Sequence, residues 1–264
     1  MGENHYETIV LEQRSAVAVV TLNRPQSMNA INLQMRRELH EAMGMLRRDE
    51  TVGAVVLTAA GDKAFSAGMD LREFSQLLAQ TPLPELRRFR WEPGEGIADF
   101  DKPIIAAING LAIGGGVELS LMCDISFAAH SASFAFAEVT RGLMPGNGGT
   151  QRLTRRVGRS KALEMILSGR TVLADEALTM GLVDHVVAAD QLLERAVGLA
   201  QQIAAHAPVA VRAAKSAIVR GENLSLQDGL NLERDLATFL YTTDDAQEGP
   251  RAFVEKRPPR WQGR

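Results

Sequence analysis

Residues 102–129, KPIIAAINGLAIGGGVELSLMCDISFAA, carry the pattern from which the architecture of this 264-residue chain can be inferred. The apolar run 102–108 predicts a buried strand, and a second such run, 124–129, predicts another. Between them lie three consecutive glycines and an apolar segment that predicts a helix of about two turns. Strands that alternate with helices in this way indicate parallel pairing in an α/β fold.

The same alternation is present towards the N-terminus. Residues 16–22 are β-branched and apolar and are followed by Asn-Arg-Pro, which predicts a strand and a turn. Residues 52–58 predict a further buried strand, and the segment between the two strands has a helical period that begins at a cap, Asn29 or Asn32. The apolar positions of this helix are Ile31, Met35, Leu39, Met43 and Leu46.

The last third of the chain has a different pattern. Strand signals stop after Val187 and helical periods follow, so we expect an α/β core over residues 1–195 and a helical region over residues 196–264. The stretch Leu77–Gly96 contains three prolines and little periodicity, which predicts a poorly ordered surface connection at the edge of a pocket.

Composition excludes several classes of protein. A hydrophobic content of 45% supports a large core, and the net charge of −3 argues against a general polyanion binder, although the basic run 152–156 is a local patch that faces solvent or an anion. A single cysteine, Cys123, excludes an internal disulfide and a thiolate zinc cluster.

The same reading predicts where the protein acts. The longest apolar stretch, residues 104–122, is interrupted by polar residues and glycines, so we expect no membrane segment. The first residues lack the pattern of a secretory signal, which predicts a cytoplasmic location.

Two glycine-containing turns present backbone amides. Gly114-Gly115-Gly116 precedes a helix, where the first amides have no partner within the helix, and Phe65–Asp70 follows a strand in the same way. Two such amides could form an oxyanion hole, or the glycines could simply let a helix pack closely on a strand. No Gly-x-Gly-x-x-Gly occurs in the turn before Val117 and no Gly-Lys-Ser/Thr occurs in any glycine loop, which argues against dinucleotide and P-loop sites.

Two glutamates lie beside glycine-rich turns. Glu118 falls in the first turn of an apolar helix, where it could stabilise the helix dipole or act in catalysis, and Glu138 lies in the apolar segment 134–139 with the same two readings. Asp70 and Asp124 are interpreted as caps or turn anchors. The five histidines are scattered and no Gly-x-Ser-x-Gly elbow exists, which argues against a serine hydrolase.

Four segments together resemble the crotonase (enoyl-CoA hydratase/isomerase) superfamily. They are AFSAGMDL at 64–71, NGLAIGGGVEL at 109–119, CD at 123–124 and GLMPGNGGTQRL at 142–153. The resemblance runs from about Leu11 to Trp261. It implies an α/β spiral of repeated ββα units with a C-terminal helical trimerisation region, and trimers that often pair into hexamers.

The resemblance also implies roles for individual residues. The amides of Met69 and Gly115 would form the oxyanion hole for a thioester oxygen, and Glu118 and Glu138 would hold one water, with Glu118 as base and Glu138 as proton donor. Gly146 would support the water through its amide. The remaining implied substrate contacts are Ala67, Asp70 and Leu71, with Lys63, Arg24 and Lys256 as candidates for the phosphates of coenzyme A.

The activity that the resemblance implies is hydration of a 2-enoyl-CoA in fatty acid metabolism. No cofactor is expected beyond the coenzyme A of the acyl-CoA thioester substrate, and no metal or nucleic acid. A hydroxyacyl-CoA or carnitinyl-CoA dehydratase, an enoyl-CoA isomerase and an RNA-binding relative are the alternatives. Met69 and Asn147 stand where the family often has alanine, which bears on acyl specificity.

Overall fold

The computed structural model describes residues 6–82, residue 85 and residues 96–264. The strands are β1 (Ile9–Arg14), β2 (Val17–Leu22), β3 (Ala54–Ala59), β4 (Ala64–Ser66), β5 (Ile104–Ile108), β6 (Leu111–Ile113), β7 (Ile125–Ala129), β8 (Ser133–Ala135), β9 (Val172–Leu173) and β10 (His185–Val187). The helices are α1 (Leu33–Arg48), α2 (Leu71–Gln80), α3 (Gly115–Leu121), α4 (Gly149–Val157), α5 (Arg159–Ser168), α6 (Ala174–Thr179), α7 (Leu192–Ala204), α8 (Pro208–Gly221), α9 (Leu226–Leu240) and α10 (Asp244–Val254). Two 3-10 helices cover Pro25–Ser27 and Glu138–Arg141.

The strands form two sheets. The first has the order β1-β2-β3-β5-β7-β10, and the second has the order β4-β6-β8-β9. Pairing is parallel except between β1 and β2 and between β8 and β9. The parallel pairing predicted from the alternation of strands and helices is therefore confirmed.

A repeating unit connects the two sheets. Three times in succession, a strand of the first sheet is followed by a short strand of the second: β3 by β4, β5 by β6, and β7 by β8. The short strands β4, β6 and β8 are neighbours and parallel, so their carboxyl ends lie along one edge. Because adjacent strands are only about 4.8 Å apart, the turns that follow them must also be close together.

Helix α1 begins at the second of the two caps that the sequence allows. The side chain of Asn32 accepts a hydrogen bond from the amide of Met35 at 2.9 Å. Asn29 instead lies in the turn before it, with a φ of 53°, and its side-chain amide donates to the carbonyls of Ala60 and Ala64. It thereby ties this turn to the residues that flank β4.

Helix α7 packs on the first sheet through a buried face. Its buried residues Leu192, Ala196, Val197 and Ala200 join a core cluster with residues of β2, β3, β5 and β7. A boundary between residues 195 and 196 falls inside this helix, and the division into two regions stays a prediction. The strands end at β10, and the described chain beyond α7 continues with α8, α9 and α10.

The irregular connection predicted for Leu77–Gly96 is wrong in its first part. Residues 77–80 complete α2, which is N-capped by Asp70 and carries Leu71, Phe74 and Leu78 along its length. The prolines that suggested irregular structure begin only at Pro82. Most of the remaining segment lies outside the described residues. In the part of the chain that the structure describes, no helix has the length and apolarity needed to cross a membrane.

Candidate active site

The site is built from the turns that follow β4, β6 and β8. The turn after β4 contains Gly68 and Met69, the turn after β6 contains Gly114 and Gly115, and the segment after β8 leads into Glu138. Their sequence separation is bridged by the parallel pairing, in which Ile113 lies beside Ala135 and the amide of Gly114 donates to the carbonyl of Ala135 at 2.8 Å.

A glycine allows the turn after β4 to lie close to the turn after β6. Gly68 has a φ of +81°, and a Cβ there would lie 2.5 Å from the carbonyl oxygen of Ile113 and 3.0 Å from the nitrogen of Gly115. The hydroxyl of Ser66 accepts from the amide of Gly68 at 3.1 Å and donates to the carbonyl of Asn29 at 2.8 Å. A larger residue at Gly68 would push the two turns apart.

Among the described residues, the backbone offers no hydrogen-bond partner to the amides of Met69 and Gly115. Met69 forms an isolated bridge with Ile31, but the bonds of that bridge come from the amides of Ile31 and Asp70. Gly115 is the first residue of α3, so its amide has no acceptor within the helix. A Cβ on Gly115 would lie 3.5 Å from the nitrogen of Met69, which shows how near the two amides are.

Glu118 is buried in α3 and anchored by backbone amides. The residue is only 2% exposed. Its Oε1 accepts hydrogen bonds from the amides of Asn147 at 2.7 Å and Gly149 at 2.8 Å. Burial raises the pKa of the Glu118 carboxyl above its ordinary value, and these amides and the charge of Arg152 counter that rise in part. The partner that a buried carboxylate requires is therefore present.

Glu138 opens the 3-10 helix after β8, and its carboxyl is less well partnered. Oε2 is buried and has no hydrogen-bond partner in the described protein. Burial raises the pKa of the Glu138 carboxyl, and the negative charge of Glu118 raises it further, while its own amide and Arg141 act in the opposite direction. The charge of Glu118 therefore acts on the Glu138 carboxyl across the site.

One cleft of about 900 Å³ joins these groups. It is lined by all the residues predicted for catalysis, the oxyanion hole and the acyl-group contacts: Glu118, Glu138, Met69, Gly115, Ala67, Asp70, Leu71 and Gly146. The residues that carry the two carboxyls and the two amides therefore line a single cavity. Their roles in the reaction stay predictions.

Asp70 anchors the turn that precedes α2. Its Oδ1 accepts from the amides of Arg72 and Glu73, and its Oδ2 pairs with Nη1 of Arg24 at 3.0 Å. The interpretation of Asp70 as a cap is confirmed, and the same holds for Asp124 as an anchor, because its Oδ2 accepts from the amide of Ile104 at 2.7 Å.

The three predicted phosphate contacts differ in position. Arg24 lines the cleft, where its Nη1 also donates to the carbonyl of Ala30 at 2.6 Å. Lys63 and Lys256 are exposed and are not among the residues that line it. A phosphate contact by any of the three stays a prediction.

Sequence reasoning missed three residues that shape the site. Asn29 and Ser66 fix the turn before Met69, and Arg152 contacts the loop that binds Glu118. Asn29 follows a Pro-Gln-Ser-Met turn, and asparagine is one of the residues that tolerate a positive φ, which was the available signal. The described residues contain no group of three or more histidine, cysteine or acidic side chains arranged to hold a metal ion.

The two sheets form a spiral in which the segments after β4, β6 and β8 bring two carboxyls and two free amides to one cleft. This arrangement is a crotonase-type architecture. Residues 12–264 match the family model described as enoyl-CoA hydratase/isomerase. The chain belongs to this family.

Individual proteins similar to this chain carry names from the same family. The chain is 46% identical over 253 residues to a protein named "Probable enoyl-CoA hydratase" of Rhizobium meliloti (strain 1021), covering 96% of each sequence. It is 40% identical over 256 residues to the 2,3-dehydroadipyl-CoA hydratase of Escherichia coli (strain K12), covering 97% of this chain and 99% of that one. The crystal structure of an enoyl-CoA hydratase from Bacillus anthracis superposes with a TM-score of 0.90 at 38% identity, covering 98% of this chain and 100% of that one.

Proposed function

We propose that this protein is an enoyl-CoA hydratase, which adds water reversibly across the double bond of a 2-enoyl-CoA to give a 3-hydroxyacyl-CoA. The observation that carries the proposal is that Glu118, Glu138, Met69 and Gly115 line one cleft. Membership of the enoyl-CoA hydratase/isomerase family supports an acyl-CoA thioester as the substrate.

The two amides would bind the thioester oxygen. Addition of water at the β-carbon develops negative charge on this oxygen as the enolate forms, and fixed amide dipoles stabilise that charge without reorganisation. The amides of Met69 and Gly115 suit the role because neither donates to a backbone carbonyl of the residues that the structure describes. Loss of one such donor typically costs about 2.7–4 kcal/mol of barrier.

The two carboxyls would hold and activate the water. Glu118 would take a proton from the water while its Oε1 is fixed by two amides, and Glu138 would deliver a proton to the α-carbon. A raised pKa of the Glu138 carboxyl favours the protonated form that a donor needs. The carboxyl that starts as the base ends protonated and the donor ends ionised, so the pair returns to its initial state by exchanging a proton with solvent.

Two carboxyls favour hydration over double-bond isomerisation, in which one acid/base group moves a proton between two carbons of the same substrate. Dehydration of a 3-hydroxyacyl-CoA is the reverse of the proposed reaction and uses the same groups. The chemistry calls on carboxyls, amides and water, so we propose that no cofactor is needed beyond the coenzyme A of the substrate.

We also propose that the protein assembles as a homotrimer or a dimer of trimers through its C-terminal helices. The support is a set of large apolar side chains that are exposed in the single chain and need cover. They include Ile218, Leu226, Phe239, Tyr241, Phe253 and Val254. A cytoplasmic location stays a prediction of the sequence.

The decay of crotonyl-CoA absorbance on adding the protein tests the proposed activity. Glu118→Gln and Glu138→Gln keep the side-chain shape but remove the acid/base group, and each should lower kcat by about 10²–10⁴-fold with a small change in KM. Glu233→Gln, at an exposed position of α9, is the matched control and should behave as the unmodified protein. Normal turnover in both site variants would contradict the proposal.

A further inference from the structure

One residue of the basic run 152–156 is turned towards the site. Arg152 is partly buried, and its Nη1 donates to the carbonyl of Asn147 at 2.9 Å. Arg155 of the same helix is exposed and bonds to Gln151, and Arg156 is paired with Asp184 on another face. The three arginines therefore have different surroundings, although they are alike in sequence.

The loop that Arg152 contacts is the one that anchors Glu118. Asn147 is held on both sides, because its amide donates to Oε1 of Glu118 at 2.7 Å while its carbonyl accepts from Arg152. Two residues later, the amide of Gly149 donates to the same Oε1 at 2.8 Å. A movement of the loop would therefore alter both bonds to Glu118.

Gly148, between Asn147 and Gly149, leaves room for the side chain of Arg152. It has a φ of +96°, and a Cβ at this position would collide with Nη1 of Arg152. The loop thus takes a glycine-only conformation and leaves the space that the guanidinium fills. The guanidinium of Arg152 therefore packs against Gly148 and is bonded to Asn147 at the start of α4.

The charges that face Glu118 come from two elements. Glu138, in the 3-10 helix, is a second carboxyl, and Arg152, in α4, is a cation. Arg141 lowers the pKa of the Glu138 carboxyl. The positive charge of Arg152 counters in part the rise that burial causes in the pKa of the Glu118 carboxyl, as the hydrogen bonds from the loop also do.

We propose that Arg152 is a positioning residue for hydration: it clamps the loop 147–149 so that two amides fix Oε1 of Glu118, and it sets a positive charge beside that carboxyl. The role rests on the proposed function, but the clamp also has a consequence in the free protein. Without the arginine, the Glu118 carboxyl loses a favourable charge and a rigid pair of donors, so its pKa rises.

Arg152→Met, Arg152→Lys and the control Arg155→Met test the clamp in the full-length protein. Two readouts are needed: the pH dependence of crotonyl-CoA hydration, and the titration of the Glu118 carboxyl in the free protein by carboxyl infrared or carbon NMR signals, assigned with Glu118→Gln. Arg152→Met should lower kcat about 10–100-fold through misplacement of Glu118, with KM changed less than about threefold. The acid limb of kcat and the Glu118 titration should both move to higher pH.

The lysine variant separates charge from clamp. Arg152→Lys keeps the positive charge but not the planar donor group, so the Glu118 titration should move to higher pH by less than in Arg152→Met, while kcat falls to an intermediate value. Arg155→Met should change neither readout. If Arg152→Met does not fold, the lysine variant alone carries the test, and a kcat and Glu118 titration equal to those of Arg155→Met would overturn the proposal.

Other outcomes are also decisive. A loss of thermal stability in Arg152→Met with an unchanged pH profile and an unchanged Glu118 titration would leave the arginine a purely structural role and refute the clamp. An unmodified protein that does not hydrate crotonyl-CoA would contradict the proposed function, whereas the carboxyl titration would still test the clamp, because it needs no substrate.

Discussion

Oε1 of Glu138 occupies the space in which a side chain on Gly114 would begin. A Cβ built on Gly114 would lie 2.6 Å from this oxygen and 3.1 Å from the carboxyl carbon, and Gly114 has a φ of +51°. The glycine therefore serves two purposes. It allows the backbone to enter α3 with its amides free, and it lets the Glu138 carboxyl approach that turn closely.

Gly114→Ala should for this reason displace the Glu138 carboxyl. The clash is with the end of a side chain, which can rotate away, so the protein should fold, with some loss of stability from the positive φ. Rotation would take the carboxyl away from the water, and we expect kcat for crotonyl-CoA hydration to fall about 10–100-fold. Gly198→Ala, on an exposed part of α7 with nothing near its Cβ, is the control and should leave kcat unchanged. Equal turnover in the two variants would show that the close approach is unimportant.

Replacing Glu138 should stabilise the protein at neutral pH. Its folded-state pKa is raised above the ordinary 4.5, so the folded protein holds the proton more tightly than the unfolded chain, and stability falls as pH rises through that folded pKa. Glu138→Gln removes this loss and also relieves the repulsion of Glu118. The variant should have a higher Tm than the unmodified protein at pH 7, and the difference should shrink towards pH 4. A Tm advantage that is constant with pH, or grows in acid, would refute the linkage.

The pairing of Asp70 with Arg24 should matter for substrate binding rather than for chemistry. Asp70 caps α2, and both residues line the cleft. Asp70→Asn keeps a good helix cap and loses the ion pair, whereas Asp70→Ala loses both, at a cost of about 1 kcal/mol for the cap. KM for crotonyl-CoA should therefore rise more in Asp70→Ala than in Asp70→Asn, with kcat changed little. A fall in kcat without a change in KM would instead give Asp70 a part in the reaction step.

Local features of the site could be predicted from the sequence. The helix near the triple glycine and the place of Glu118 in its first turn follow from apolar spacing and from the conformational freedom of glycine, although the helix begins at Gly115, two residues before the expected start near Val117. The buried strands follow from short β-branched runs in the same way. Each of these features depends on residues within one helical turn or one strand, so the pattern carries the information.

Contacts between distant segments could not be predicted from periodicity. Glu138 meets Gly114 because β6 and β8 pair in the register that sets Ile113 beside Ala135, and nothing in residues 134–138 specifies that register. The inward direction of Arg152 likewise depends on how α4 packs through Leu153 and Val157. Helix α2 has a cap at Asp70, but its short apolar pattern runs into a segment with prolines from Pro82 onwards, so the sequence pattern does not separate the helix from the connection that follows.

Lys102 should prove important for stability and not for activity. It is 3% exposed, and its Nζ donates to the carbonyls of Leu46 at 2.7 Å and Asp49 at 2.6 Å, where the end of α1 leaves acceptors without helical partners. Lys102→Met would leave the Leu46 carbonyl without this partner, whereas the Asp49 carbonyl keeps the amide of Val52 at 3.1 Å, so the free energy of unfolding in urea should fall by about 1–3 kcal/mol. Lys102 does not line the cleft, so kcat and KM should be unchanged. The control Lys161→Met, at an exposed position, should have a free energy of unfolding within about 0.5 kcal/mol of that of the unmodified protein. An equally small change in Lys102→Met would contradict the prediction and mean that water replaces the ammonium group at the end of α1.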